Sequence, residues 1–529
     1  MTTKIYVPCD AASLSMGAEA VADAIRESGA DVAVTRTGTR GLLWLEPLLE
    51  IEISGRRVGF GPVTPDDVPG ILTRGEAHPL CLGPVEDIPY LKSQQRLTFQ
   101  RCGVIDPVSL DDYKAHGGLK GLTHAVAMAP QAIVEEVTES GLRGRGGAGF
   151  PTGVKWSFMP RFEENPEKRP AHIYMVANAD EMEPGTFKDR LLMEGDPHQF
   201  IESMAIASYA IGADIAYVFI RGEYTECQRK LQRAIDEAME AGYLGSDIFG
   251  TGYSLKMYLH MSAGRYICGE ESALLSALEG RRAVPRHKPP FPAASGLFGQ
   301  PTTVNNVETI CNVPHIVNNG AQWYKSLGLH KDGGTKIFGA SGHVARPGLV
   351  ELPLGTKLSE VLDYFGGIRG GRELKALLPG GGSTPLLTQE HLNTPMDYEG
   401  VGAVGSRLGT ATMVVMDDQT PIVGVLKNLE HFYAQESCGW CTPCRDGLPW
   451  VERILTNLEA GKGNPGDIEL LELHTKLLGP GKTFCAHAPG AMGPLESGLK
   501  YFRDELAALI PDDATTPDST QAANAVSNH

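Results

Sequence analysis

SCGWCTPCRDG, residues 437–447, sets Cys438, Cys441 and Cys444 within seven positions, and KTFCAHAPGA, residues 482–491, adds Cys485 after forty intervening residues. A C-x2-C-x2-C run puts three thiolates on one tight loop, and a distant fourth closes the cage that a cubane iron–sulfur cluster requires. Zinc also takes thiolates, but its structural sites usually pair two separated C-x2-C motifs or mix in histidine, a layout that three-plus-one fits less well. A third possibility is buried thiols with no ligand at all. Disulfides fit worst, because three cysteines so close cannot pair neatly.

The composition is that of a cytoplasmic globular enzyme. At 529 residues the chain is too long for one core and calls for three or four domains. A net charge of −17 with no basic stripe argues against nucleic acid. The opening MTTKIYVPCD has no charged-then-apolar leader and no lipidation signal. The most apolar stretches, residues 205–220 and 401–416, are interrupted by Asp214 and Arg407, so direct membrane insertion is not expected.

Residues 1–85 alternate strand-like and helical segments: KIYVP, a helix over 15–28, DVAVTRT, LLEIEIS, RRVGFGPV and a short helix from TPDDV. This resembles the thioredoxin-like ferredoxin domains that accompany redox flavoproteins. Those domains hold a two-iron cluster on C-x4-C and C-x3-C pairs; here Cys9 remains, but Leu14, Thr39 and Leu43 stand at the other positions. The module is therefore expected to be a docking surface without a cluster, with Cys81 and Cys102 as bystanders. Residues 86–119 read as a connector containing proline and glycine.

Four stretches carry the central chemistry. In SGLRGRGGAGFPTGVKW, residues 140–156, Gly144, Gly146 and Gly149 satisfy G-x-G-x-x-G, which alone is a weak signal. Arg143, Arg145 and Lys155 would supply positive charge where an anionic cofactor would sit. AIVEEVTESGL before the glycines reads as a helix rather than the strand of a Rossmann turn. The strand AHIYMVAN runs into ADEMEPGTFKDR, bringing Asn178, Asp180, Glu181 and Glu183 to the carboxyl edge of a sheet, where open α/β folds bind ligands. AGRYICGEESALLSALEG sets Tyr266, Gly269, Glu270 and Glu271 at a helix start, where amides favour acids as caps whatever the function. RHKPPFPAASGLFGQPTTVNNVET joins Lys288 and Phe291 to Asn305 and Asn306.

In this order, and followed by the cysteines, these stretches resemble the flavin-bearing, NADH-oxidising subunit of respiratory complex I. The likeness extends to hydrogenase diaphorase subunits and to the beta subunits of soluble NAD-dependent formate dehydrogenases, over roughly residues 115–505. The wording NADEMEPGTFKDRLLMEG, QESCGWCTPCRDGLPW and FCAHAPGA is most similar to the formate dehydrogenase subunit. The resemblance implies a multidomain α/β protein: a thioredoxin-like domain at 1–85, a connector at 86–119, an FMN/NADH-binding α/β domain at 120–332, a β-grasp domain at 333–420, a helical 4Fe-4S domain at 421–510 and a disordered tail at 511–529.

The same resemblance assigns FMN to the backbone of Gly144, Arg145, Gly146 and Gly147 and to Lys155, Asn178, Asp180, Glu181, Tyr266, Gly269, Glu270, Asn305 and Asn306. It assigns NADH to Phe150, Glu183, Glu271, Lys288 and Phe291, and the cluster to Cys438, Cys441, Cys444 and Cys485. The implied activity is that of an oxidoreductase, the diaphorase subunit of an NAD-dependent formate dehydrogenase. A flavin exchanges a hydride with NAD(H) as an electron pair, and a cluster carries electrons singly, so their adjacency couples the two. No protein nucleophile is required, and His487 beside Cys485 is expected to support the ligands rather than join them. The implied partners are a molybdenum- or tungsten-pterin catalytic subunit and a small 2Fe-2S thioredoxin-like subunit. Two alternatives stay open: the equivalent subunit of a bidirectional hydrogenase or complex I-type NADH dehydrogenase, and a non-catalytic electron conduit that has lost flavin.

Overall fold

A computed structural model describes residues 2–161 and 166–511. The tail expected to be disordered lies, from residue 512 onward, outside the described residues. Among these residues three β-sheets and a C-terminal group of helices follow one another along the chain.

The first sheet comprises β1 (Thr3–Pro8), β2 (Val32–Thr37), β3 (Leu49–Ile53), β4 (Arg56–Phe60) and β5 (Cys81–Pro84), in the order β2-β1-β3-β4-β5. β1 and β2 are parallel, so a crossover must join them. The expected single helix over 15–28 is two, Ala11–Ser15 and Ala18–Glu27, because Gly17 adopts φ 101° between them. β3 and β4 form a hairpin whose two turn residues, Ser54 and Gly55, both have positive φ, the geometry that matches strand twist.

The second sheet is β6 (Tyr174–Ala179), β7 (Ile215–Ile220), β8 (Lys256–Met261) and β9 (Thr302–Asn306), ordered β8-β7-β6-β9 with every pairing parallel. Parallel strands need crossovers, and the helices Lys188–Gly195, Pro197–Ile211, Thr225–Glu240 and Glu271–Leu278 provide them. Helix Pro197–Ile211 is buried on almost every side, started by Asp196, which accepts from the Gln199 amide at 3.2 Å, and ended by Gly212 at φ 73°. All four strands run the same way, so their C-terminal ends share one edge, with Asn178 of β6 registered opposite Asn306 of β9.

The third sheet, β10 (Thr335–Gly342), β11 (Gly348–Pro353), β12 (Leu374–Leu378) and β13 (Thr412–Asp417), has the order β11-β10-β13-β12, with β10 and β13 parallel. Four helices follow, Ile422–Glu436, Thr442–Glu459, Asp467–Leu478 and His487–Ala507, packed around Leu426, Leu448, Leu455 and Leu495. The third of them carries no expectation from the sequence.

The stretch at 86–119 is not a free connector. The amides of Leu97, Thr98 and Phe99 all donate to the carboxylate of Glu351 on β11, at 2.7, 3.0 and 2.9 Å. Arg101 pairs with Asp196 at 2.7 Å, and Phe99, Cys102 and Tyr113 are buried. A buried carboxylate needs several donors, and this segment supplies them.

Candidate functional site

The four sequence stretches converge on the C-terminal edge of the parallel sheet. A Cβ added to Gly146 would lie 2.9 Å from Cβ of Asn306, so only glycine lets the 144–150 loop approach the end of β9 so closely. The loop closes on itself through the Gly144 amide, which donates to the Phe150 carbonyl at 2.8 Å. Tyr398 donates to the Gly144 carbonyl at 2.7 Å. Lys155 reaches the Val304 carbonyl at 2.8 Å and Glu271 at 3.0 Å. Asn178 donates to the Gly269 carbonyl at 3.0 Å, and Tyr266 donates to Glu183 at 2.7 Å. Lys288 lies between Glu270, at 3.1 Å, and Glu271, at 2.9 Å.

Several of these groups are already committed to the fold. Glu181 accepts from the amides of Asp189 and Arg190 at 2.8 and 3.0 Å, capping helix Lys188–Gly195. Glu270 caps helix Glu271–Leu278 through the Ser272 and Ala273 amides, both at 2.9 Å. Asn306 donates to Asp189 at 2.6 Å, and Asn305 Oδ1 takes the Trp156 indole proton at 3.0 Å.

Arg145 requires a correction. Its side chain is fully buried and turned inward to the hydroxyls of Tyr324 and Tyr398 and the Gly333 carbonyl, so it offers no charge to a ligand. Arg143 pairs with Asp332 at 3.3 Å and lies 4.1 Å over the Tyr398 ring, and Lys155 is neutralised by Glu271. The expected positive rim therefore does not form. A planar, weakly hydrated guanidinium is well suited to such buried stacking, which a motif cannot distinguish from anion binding.

At this edge one buried carboxylate stands out. Asp180 is 5% exposed, and its carboxylate oxygens accept no well-aligned hydrogen bond, with only the Ser262 hydroxyl and the Arg221 charge to favour its ionised form. Burial pushes its carboxyl up to about 7. Burial together with the Asp189 carboxylate does the same to Glu181, also to about 7. Burial works against Glu271 too, but Lys155 and Lys288 outweigh it and hold that carboxyl down at about 2. Beside Asp180, Gly269 has open space where a side chain would stand, as has Gly147 at φ 121°. Acceptor oxygens at Asp180 and Asn178 suit the hydroxyls of a ribityl chain and the N–H of a flavin ring, and bare backbone suits a flat ring lying against it. The residues present thus fit an FMN. Phe150 and Phe291 remain largely exposed on the surface.

Cys438, Cys441, Cys444 and Cys485 line a single pocket, whose wall includes Ile267, Pro285, Trp440, Phe484, His487 and Ala488. All four thiols are free. Cys441 stands at the N-cap of helix Thr442–Glu459, Cys444 lies in its first turn, and Cys485 precedes Ala486, the N-cap of helix His487–Ala507. Burial pushes the Cys444 thiol up to about 12 and Cys485 to about 11, outweighing the Ser437 hydroxyl at the one and the His487 amide at the other, whereas a cationic iron centre would favour the thiolates. Among the described residues no three His, Cys, Asp or Glu side chains are gathered as a single metal ion requires. Thiols spread around a pocket fit a multi-iron cluster, which brings its own bridging sulfides. His487 Nε2 lies 2.8 Å from the Tyr433 carbonyl, and its ring meets Tyr266 at 5.5 Å.

The two sites share a loop. Ile267, on the thiol pocket wall, lies between Tyr266 and Gly269 of the sheet edge. The junction is reinforced from the helical side, where the Tyr266 amide donates to Glu436 at 2.9 Å and Arg282 donates to the Cys438 carbonyl at 2.8 Å. These ties, including Arg282 and Glu436, carried no sequence signal, since they join segments more than 150 positions apart.

In the N-terminal sheet no thiol set assembles. Lys230 donates to the Cys9 carbonyl at 3.1 Å and to its sulfur at 3.5 Å, Thr39 donates to Glu46, and Cys102 is buried.

Residues 137–315 match the family described as the Nuo51 FMN-binding domain, 338–385 the SLBB domain, and 424–509 the NADH-ubiquinone oxidoreductase-F iron-sulfur binding region. The NADH-quinone oxidoreductase F subunit of Escherichia coli (strain K12) is 56% identical over 406 residues, covering 76% of this chain and 90% of the relative. The chain belongs to the family of NADH-quinone oxidoreductase F subunits. The member from Mycobacterium tuberculosis (strain ATCC 25618 / H37Rv) is 50% identical over 411 residues, covering 77% of this chain and 92% of its own length. A solved NAD+-reducing NiFe-hydrogenase in the H2-reduced state superposes with TM-score 0.69 at 30% identity, covering 99% of this chain and 87% of that one. As a member of this family the chain is an oxidoreductase subunit of the FMN, NADH and 4Fe-4S type. No described helix is long and apolar enough to cross a membrane.

Proposed function

We propose that the chain is the electron-input subunit of a larger assembly, exchanging a hydride between NAD(H) and FMN at the sheet edge and passing electrons to or from a 4Fe-4S cluster in the thiol pocket. Asp180 and Asn178, with the bare backbone of Gly147 and Gly269, hold the flavin. Glu271 and Lys288 orient the nicotinamide nucleotide, with Phe150 and Phe291 as its apolar platforms. Cys438, Cys441, Cys444 and Cys485 hold the cluster. Bound flavin supplies the conversion between an electron pair and single electrons. The observation that carries this assignment is the shared loop, since Ile267 borders the thiols while Tyr266 and Gly269 border the flavin edge.

The assembly is of the complex I or NAD-reducing hydrogenase type. The NADH-quinone oxidoreductase relatives leave about a quarter of the chain unmatched, whereas the hydrogenase fold spans 99% of it, which supports a hydrogenase-like arrangement. The formate dehydrogenase context rests on the motif wording around Met182 and after Cys485. Purifying the native assembly separates the two: a nickel–iron or quinone-reducing partner supports the first, a molybdenum- or tungsten-pterin partner the second. A conduit without flavin is disfavoured by Asp180, a buried carboxylate at the sheet edge whose ionised form only Ser262 and the Arg221 charge favour from within the protein. Stoichiometric flavin and NADH-dependent dye reduction in the purified chain test this; their absence after anaerobic preparation would contradict it.

A further inference from the structure

Two loops of the third sheet lie across the flavin edge, and the proposed chemistry gives neither a part. The first, residues 379–384, follows β12, and the second, residues 404–411, precedes β13. Gly409 of the second pairs with Gly147 in an antiparallel bridge, and the Thr410 and Thr186 hydroxyls share a hydrogen bond at 2.7 Å. In the first, the Ser383 amide donates to Glu183 at 2.6 Å and the Gly382 amide to the Pro184 carbonyl at 3.0 Å. A Cβ on Gly381, which has φ 98°, would lie 2.4 Å from Cγ of Glu183, so only glycine lets this loop come so close. Ser383 also abuts the helix that follows Cys485. A Cβ on Gly490 would be 3.3 Å from the Ser383 Cβ, and one on Gly493 would be 3.0 Å from its carbonyl oxygen. The first loop is thus wedged between the flavin edge and the helix behind the thiol pocket.

Arg407 ties the second loop to this wedge. It stands two residues before Gly409, is exposed, and donates to the Ser383 carbonyl. Lys155, Lys288 and Arg143 each pair with a carboxylate, whereas Arg407 forms no ion pair among the described residues. Its charge nonetheless reaches the edge. Burial raises the Glu183 carboxyl, and the hydrogen bonds from Ser383 and Tyr266 and the Arg407 charge work against that rise. Burial and Glu183 raise the Tyr266 hydroxyl, and Arg407 again opposes them.

We propose that Arg407 is a positioning residue for the redox chemistry, a cation supplied by the third sheet that favours the reduced flavin. This rests on assigning FMN to the edge formed by residues 178–183 and 305–306. A hydride from NADH carries two electrons and one proton, so the flavin gains one negative charge as NAD+ leaves. A cation nearby makes that charge less costly, and charge placed near the ring is one of the means by which a protein tunes a flavin. The lysines of the sheet edge cannot serve equally, because Glu270 and Glu271 offset Lys155 and Lys288 at 2.9–3.1 Å. A guanidinium tied to a neutral carbonyl keeps its full charge for whatever binds beside it. Its exposure makes the effect sensitive to salt.

The test measures the midpoint potential of the flavin in protein loaded with flavin and cluster, by anaerobic reduction at low salt against a reference dye of known potential. Arg407→Gln should lower it, so that the reduced-to-oxidised ratio at a fixed potential falls about threefold to tenfold, a tenfold fall in a two-electron couple being about 30 mV. Arg407→Glu should lower it further, Arg407→Lys should keep the parent value, and added salt should narrow the differences. A merely structural role would change flavin affinity or stability and leave the potential of the bound flavin where it was. Equal potentials in parent, Arg407→Gln and Arg407→Glu at low salt, with flavin fully bound, overturn the role of Arg407 alone. If the glutamate variant fails to fold, the glutamine variant carries the test. Flavin bound with unchanged affinity in Gly269→Val, whose side chain would fill the open space beside Asp180, would instead overturn the flavin assignment beneath it.

Discussion

The Tyr266 hydroxyl donates to Glu183 at 2.7 Å while the same ring meets His487 edge-on, so one side chain spans from the sheet edge to the wall of the thiol pocket. Glu183 is bound from its other side by the Ser383 amide at 2.6 Å, and the parallel sheet, the third sheet and the helices meet at this point. Burial raises the Glu183 carboxyl, so the donors around it stabilise a charge that would otherwise be costly.

Tyr266→Phe keeps the ring packing and removes one donor to a buried carboxylate. A loss of about 1–3 kcal/mol of stability is expected. Denaturant unfolding at neutral pH measures it, and an unchanged midpoint would mean that the bond contributes nothing.

Cys441→Ala removes one thiol from the pocket without disturbing the sheet edge. The cluster's paramagnetic signal should vanish and the iron content fall, while NADH still bleaches the flavin. Full retention of the signal would exclude Cys441 as a ligand.

Glu271 is held at about 2, below the value of about 4.3 for a free glutamate. A carboxyl depressed in the folded state contributes stability that is complete above the free value and lost as pH falls through the folded one. Glu271→Gln should therefore be less stable than the parent at pH 7, with the gap closing between about pH 4 and pH 2. A gap that stays constant over that range would show that the ion pairs with Lys155 and Lys288 do not contribute.

Glu351→Ala leaves the 97–99 amides buried without an acceptor. Each such amide costs about 1–3 kcal/mol, so a loss of about 3 kcal/mol or more is expected, with new protease cleavage between residues 86 and 119. Resistance to protease equal to the parent's would mean that the segment is held by other contacts.

Much of this architecture is legible in local pattern. Strands such as YMVANA announce themselves because their signals are short-range, and the three-plus-one cysteine spacing favours an iron–sulfur cluster over zinc or unligated thiols. Helix Asp467–Leu478 is less visible, since DIELLELHTKLL exposes Leu473 and Leu477 and so blurs its apolar stripe. The 86–119 segment looks like a linker because its order comes from Glu351, some 250 positions away. Arg145 misleads for the same reason, as its partners Tyr324 and Tyr398 are distant in sequence. Chemistry encoded by neighbours is readable, whereas the direction in which a long side chain turns depends on the assembled core.

The coexistence of a flavin and a single cubane on this chain is tested most directly by cofactor stoichiometry in protein matured with its native partners. The account predicts about one FMN with about four iron and four acid-labile sulfide per chain, the N-terminal sheet contributing none. About six iron per chain would contradict the cluster-free N-terminal sheet, and the absence of both flavin and iron would contradict the whole account.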